Sequence, residues 1–391
     1  MTNGTYHPEP SGDLPGATNK GMSAGDRSGS LPRSASEQTS PRHASASPYT
    51  REGTLDSDRN SGETSDDDGA FFGPPSSFRV EEVGDVPPLG ATYRTVLGRS
   101  AQAVLASRPA AGLPEVALAA GPVRADAEHL TAYQHLVGAP VDDTLPPGFV
   151  HVLAFPLAVA LMARADFPFS PLGMIHVSNR ITQTRPVRLG EELTVTAWAH
   201  DAREHKRGTT VDLSVLARTS KGEPVWSGRA TYLAKGSAPT GLDRGPAAEE
   251  RPRVEIPHRP QALWAVSESD IHTYAQVSRD RNPIHTSRLG ARAFGFPRRI
   301  AHGMYTAARA LHAAGRPGST TWDVEFGSPV ILPAKVAYAQ VNDVMQASGA
   351  PYAGAVEHRE ADNGPITTRS VVWDPKRGKV HATTVVTTAG S

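Results

Sequence analysis

The chain carries one unit twice, and that constrains its fold more than anything else in the sequence. Ser267-Glu-Ser-Asp-Ile-His-Thr-Tyr274 can be laid on Asp126-Ala-Glu-His-Leu-Thr-Ala-Tyr133 with the tyrosines in register. An element order repeated in this way calls for two copies of one domain. In the first copy, residues 126–137 have helical apolar spacing at Leu130, Tyr133 and Val137 and stop at Gly138. Residues 150–163 are apolar nearly all round, yet too short to span a bilayer, so a helix buried inside a domain is expected. Before them come short strands at 92–97 and 116–119; after them come strands at 173–181, 192–198, 209–216 and 224–233, with a turn at Ser220-Lys-Gly222. In the second copy, residues 301–314 take the place of the buried helix, and 324–333 answer 176–189. The turn around Asp374-Pro-Lys-Arg-Gly378 answers the one at 220–222. One buried helix followed by antiparallel strands predicts an α+β unit in which a sheet curls around a helix.

The division expected along the chain is a tail over 1–75, a first unit over 76–236, a linker over 237–258 and a second unit over 259–391. Ordered sequence begins near Phe78-Arg-Val80, because the preceding residues are mostly Ser, Gly, Pro, Asp, Thr and Arg. Such a segment cannot bury enough apolar surface to offset its ordering entropy, so a disordered tail is predicted, with Asp66-Asp67-Asp68 as a solvated run. Lys+Arg and Asp+Glu number 40 each, and a net charge of zero gives no reason to expect nucleic acid or an anionic membrane as partner. The chain has no cysteine, which excludes disulfides and thiolate metal sites and fits a reducing cytoplasm. No apolar run reaches about 18 residues and Met1-Thr-Asn-Gly has no signal-peptide character, so a soluble cytoplasmic protein is expected. There is no Gly-x-Gly-x-x-Gly after a strand and no Gly-x-Ser-x-Gly elbow. His258, His272, His312, His358 and His381 lack paired ligand spacing, so neither a cofactor nor a metal is expected.

Only the second copy contains Ser278-Arg-Asp-Arg-Asn-Pro-Ile-His285; the matching place in the first reads His135-Leu-Val-Gly-Ala-Pro-Val-Asp-Asp143. Asn282-Pro283 ends any helix arriving from Tyr274, because proline removes a donor and disfavours helical geometry before it. The resulting bend lets Asp280 and His285 converge on one small volume, a candidate acid/base couple. The bland alternative is an Asx-turn that caps a helix end and leaves His285 at the surface. Gly303 precedes a stretch rich in helix formers, which places its amide in a first helical turn, where N–H groups lack intrahelical partners. Ser278, Asn282 and Pro283 are expected to support the bend, and His302 to make a structural or supporting hydrogen bond. Tyr274 has its counterpart in Tyr133, so it reads as core.

These residues resemble a known family. Residues 274–285, with Ala291-Arg-Ala-Phe-Gly-Phe-Pro297 and Ile300-Ala-His-Gly-Met304, are similar to the hydratase-2 signature of MaoC-like (R)-specific enoyl-thioester hydratases and dehydratases. Phe155-Pro-Leu157, Phe167-Pro-Phe169 and residues 173–181 resemble the non-catalytic half of the actinobacterial double-hot-dog dehydratases. The resemblance implies a tandem double hot dog whose second half is catalytic. It implies hydration of trans-2-enoyl-CoA or acyl-carrier-protein thioesters to (3R)-hydroxyacyl thioesters, or the reverse dehydration, in fatty-acid or polyketide-type lipid metabolism. Asp280 and His285 would position a water, one taking its proton while the other delivers a proton to the α-carbon, and the Gly303 N–H would stabilise the thioester oxygen. No cofactor or metal is implied, and association into a homodimer is left open. The alternatives are a hot-dog acyl-thioesterase and a non-catalytic acyl-binding scaffold. Two positions depart from the family: Arg279 stands where Gly is usual, and residues 330–335 read Val-Ile-Leu-Pro-Ala-Lys where many relatives have Gly-Asp. Arg279 would be strained if the site needs a positive φ; alternatively, it reaches a carrier phosphate. A break at Pro156 in the first buried helix would make room for a long acyl tail.

Overall fold

The computed structural model describes residues 73–90, 92–93, 112–236, 238–248, 254–315, 318–341 and 366–388, all within one compact unit. The expected disordered tail up to residue 72, its acidic run, residues 94–97 and His358 lie outside the described residues.

The first half opens with β1 (Arg79–Glu82), which pairs in parallel with β2 (Val116–Val123). Between them Thr92 and Tyr93 form part of a helical turn, not the start of a strand. Pro87-Pro88 accounts for the difference: proline suits a helical first turn, and the Thr92 N–H donates to the Pro88 carbonyl at 3.3 Å. Helix α1 (Ala127–Val137) begins where Asp126 accepts from the His129 N–H and ends at Gly138, whose φ of 73° only glycine adopts without cost. After β3 (Thr144–Leu145) comes the buried helix α2 (Pro147–Met162). Pro156 does not break α2. The helix is apolar on every side, and each fully buried Leu or Val such as Leu157, Val159 and Leu161 contributes about 1.5–3 kcal/mol, enough to absorb one missing backbone hydrogen bond. A Cβ on Gly148 would lie 2.3 Å from the Tyr133 hydroxyl, so glycine lets α2 approach α1 closely. The half is completed by β4 (Met174–Gln183), β5 (Val187–Arg188), β6 (Leu193–His205), β7 (Gly208–Thr219) and β8 (Pro224–Lys235). Residues 238–248 run back beside β6, with Gly245 bridged to Arg203 and Leu242 buried.

The second half repeats the order. It comprises β9 (Ala262–Val266), α3 (Glu268–Val277), the short helices α4 (Pro283–Thr286) and α5 (Arg288–Ala293), the buried helix α6 (Gly303–Ala313), and β10 (Thr320–Phe326), β11 (Ala334–Val341), β12 (Ile366–Trp373) and β13 (Val380–Thr388). Among the described residues, eleven strands form one sheet in the order β1-β2-β6-β7-β8-β4-β10-β13-β12-β11-β9. Read outward from the middle, the two sides carry equivalent strands, and antiparallel pairing of β4 with β10 joins them. Ile181 faces Trp322 across that seam. Antiparallel pairing of equivalent strands from the two halves relates them by a local two-fold axis. Each half is a sheet wrapped on its own central helix, so the molecule is a tandem double hot dog. Trp226 and Trp322 are fully buried where helices meet sheet, and the Trp226 indole donates to the Pro147 carbonyl at 3.0 Å. Among the described residues, no helix is long and apolar enough to cross a membrane.

Candidate active site

Helix α3 starts with a capping box between Ser267 and Asp270 and ends at Val277, where the chain turns back on itself. The Ser278 hydroxyl donates to the Tyr274 carbonyl at 2.7 Å and accepts the Asp280 N–H at 3.2 Å, which fixes the first corner. Arg279 sits at φ 58°, the left-handed region, with its side chain exposed. The position where glycine would be at ease is therefore held by arginine, at a cost of about 1–2 kcal/mol. Asn282 caps α4 by accepting from the Ile284 N–H at 3.3 Å, and Pro283 follows in the first helical position, where its missing N–H costs nothing. One turn later His285 Nδ1 donates to the Ile300 carbonyl at 2.9 Å. A carbonyl oxygen can only accept, so neutral His285 carries its proton on Nδ1 and its lone pair on Nε2.

The bend brings the side chains of Asp280, His285 and His302 together, each offering a donor atom within 4.8 Å of the others. His302 is buried. Its Nε2 donates to the Asp280 backbone carbonyl at 3.1 Å, and its ring stacks on His285 with centroids 3.7 Å apart. Such a cluster has the spacing of a cation site, and on each imidazole one ring nitrogen is committed to a backbone carbonyl. Asp280 Oδ1 accepts from the Tyr93 hydroxyl at 2.8 Å and from the Asn282 N–H at 3.1 Å. Oδ2 lies 3.7 Å from His302 Nε2, beyond hydrogen-bond reach.

Burial pushes the Asp280 carboxyl up, but the His302 and His285 imidazoles, the Asn282 N–H and the Tyr93 hydroxyl together outweigh it and leave the group below its ordinary range. Burial acts on the imidazoles in the opposite sense. His285 is lowered, against the pull of Asp280, and His302 falls to about 3 through burial and the neighbouring His285. Near neutral pH the site therefore holds one carboxylate and two neutral imidazoles.

Gly303 opens α6 immediately after His302, and a Cβ there would meet the Phe326 ring at 2.8 Å. As the first helical residue it has no intrahelical acceptor for its N–H. The equivalent first position of α2 is Pro147, which has no N–H to offer. This difference between the copies lies in the backbone itself.

Ser278, Asp280, Asn282, His285, His302 and Gly303 line one cavity of about 270 Å³, with Pro283 bracing the loop behind them. The opposite wall comes from the first half: Tyr93, His151 and Phe155, with His176 and Tyr232. His151 and His176 are driven by burial to about 4 and about 3 and are neutral. Of these wall residues, Phe155 and His176 fall in stretches that carry the family resemblance, whereas Tyr93, His151 and Tyr232 are not singled out by the sequence. His151 stands alone in an apolar helix, and Tyr93 lies 187 positions from the carboxylate it touches. The one local signal was Pro87-Pro88, which argues against a strand through Tyr93.

Fold and site together define a tandem hot-dog protein in which one half bears a carboxylate–imidazole pair at a helix N-terminus and the other half closes the cavity. Residues 248–362 match a family described as MaoC like domain. The 3-hydroxyacyl-thioester dehydratase X of Mycobacterium tuberculosis is 35% identical over 212 residues, 54% of this chain and 74% of the relative. A 3-hydroxybutyryl-CoA dehydratase of Methylorubrum extorquens is 50% identical over 42 residues, 11% of this chain and 27% of that protein. Among solved structures, HtdX of M. tuberculosis superposes with a TM-score of 0.55 at 28% identity, covering 69% of this chain and 98% of that one. A MaoC-like dehydratase from Phytophthora capsici, at 19% identity, shares the fold with a TM-score of 0.50 over 70% of this chain and 95% of its own. The chain belongs to the MaoC-like dehydratase family.

Proposed function

We propose that this protein is a hydro-lyase that adds water across the double bond of trans-2-enoyl thioesters to give (3R)-hydroxyacyl thioesters, or runs the reverse dehydration. The observation that carries the reading is the convergence of the Asp280 carboxylate and the His285 imidazole in one cavity beside the first turn of α6. In this reading the second unit, residues 259–391, does the chemistry, and the first, residues 76–236, shapes the acyl site.

Asp280 and His285 both start as proton acceptors, which constrains the mechanism. A water held between Asp280 Oδ2 and His285 Nε2 gives its hydroxyl to the β-carbon and one proton to the pair. With no acidic proton on either group at the outset, the proton that reaches the α-carbon is the one the water surrendered. The pair thus relays a single proton, and the site returns to its starting charge. Between these events negative charge develops on the thioester oxygen, and the Gly303 N–H is the candidate donor; one fixed donor of this kind is worth roughly 3 kcal/mol in acyl-transfer enzymes.

The substrate is an acyl-CoA or an acyl-carrier-protein thioester. Arg207, exposed in the turn between β6 and β7, and Lys235, exposed at the end of β8, line the same cavity and supply cations for a carrier phosphate. A cytoplasmic location accords with the cysteine-free sequence. The test is to incubate purified protein with crotonyl-CoA and longer enoyl thioesters. Loss of the enoyl absorbance with a (3R)-hydroxy product supports the proposal. Release of free thiol would assign a thioesterase instead, and no change in either would leave a non-catalytic acyl-binding scaffold.

A further inference from the structure

We infer that Tyr93, supplied by the first half, is a positioning residue for Asp280: its hydroxyl locks one carboxylate oxygen so that the other is presented to water. The inference rests on the hydro-lyase reading and adds a residue that the motif around Asp280 does not contain.

The geometry divides the two carboxylate oxygens by task. Oδ1 takes both hydrogen bonds, from Tyr93 at 2.8 Å and from the Asn282 N–H at 3.1 Å. The Asn282 bond is local, made inside the Asx-turn, and follows the loop wherever it moves. Rotation about the last carboxylate torsion is soft, so a local bond alone does not define the plane of the group. Tyr93 reaches Asp280 from another part of the fold, which ties that plane to the first half. Tyr93 is 7% exposed, and its phenol titrates well above the ordinary tyrosine range because of burial first and the Asp280 charge second. It therefore stays protonated and acts only as a donor. Among the described residues, the other titratable groups facing Asp280 are His302, His285, His151, His176, Tyr232 and Tyr274. The imidazoles are lowered by burial and the phenols raised, so near neutral pH none of these six takes up or releases a proton.

Tyr93→Phe keeps the ring and deletes the donor. A hydrogen bond to a charged group is worth enough that kcat on crotonyl-CoA should fall by roughly 10- to 100-fold. The acid limb of the pH profile should also move to higher pH, because one group that stabilises the charged carboxylate is gone. A purely structural tyrosine would lower the melting temperature without moving that limb. An unchanged kcat, or a lower kcat with an unmoved acid limb, overturns the inference while the hydro-lyase reading stands. Wild-type protein inert toward every enoyl thioester overturns the reading and this assignment with it.

Discussion

Arg279 shows what one backbone angle can reveal. From sequence alone both strain and a phosphate contact are open at this position; a φ of 58° makes the strained conformation the observed one. Arg279→Gly should raise unfolding stability by about 1 kcal/mol or less, the relief of left-handed strain being partly offset by the freedom glycine has when unfolded. Urea denaturation measures this, and a rise in KM for a CoA thioester in the same variant would add a carrier contact. At the pair itself, Asp280→Asn and His285→Ala should each abolish hydration with an unchanged circular dichroism spectrum. Full activity in either would remove the proposed roles. The bend that unites these groups was legible because everything that makes it lies between Ser278 and His285. Tyr93 was not legible, because Thr-Tyr-Arg-Thr-Val-Leu is strand-like in composition and only long-range packing brings it to the carboxylate.

Among elements, the two buried helices show how much repeat logic can and cannot deliver. Apolar character on every face placed α2 inside its sheet, and the match of residues 301–314 placed α6 in the same role. The break at Pro156 on which room for a long acyl tail was conditional is not present, because a helix enclosed on all sides is held by packing that a single lost hydrogen bond does not outweigh. Opening of a long acyl tunnel by that route is therefore not supported. What separates the helices chemically is their first residue, Pro147 against Gly303. Gly303→Ala should lower kcat by roughly 10- to 100-fold, since its Cβ would drive the helix start against Phe326 and displace the amide proposed to face the oxyanion. Steady-state kinetics check this, and Phe326→Leu in the same chain should restore part of the rate by making room.

For the whole molecule, buried imidazoles set the response to acid. His151, His176 and His302 titrate at about 4, about 3 and about 3, below the roughly 6.5 of an unfolded histidine. Their folded pKa values are depressed, so the unfolded chain binds the protons first. The stability they hold is full above about pH 6.5 and is lost as pH falls toward about 3. Asp280, also depressed, acts in the same sense at the acid end. Thermal melts should therefore decline steadily below about pH 6.5, and a flat profile between neutral pH and about 4 would contradict these burial effects. Arg207→Gln with Lys235→Gln should raise KM for crotonyl-CoA several-fold and leave a phosphate-free N-acetylcysteamine thioester unaffected. Equal effects on both substrates would remove the rim from carrier recognition.

The seam between β4 and β10 has a consequence for how a substrate arrives. Backbone pairing runs unbroken from Thr320 opposite Gln183 to Glu325 opposite Ser178, so the halves are stitched along their shared border and do not swing apart like jaws. In the proposed reaction an acyl group therefore reaches Asp280 without the two halves parting along that border.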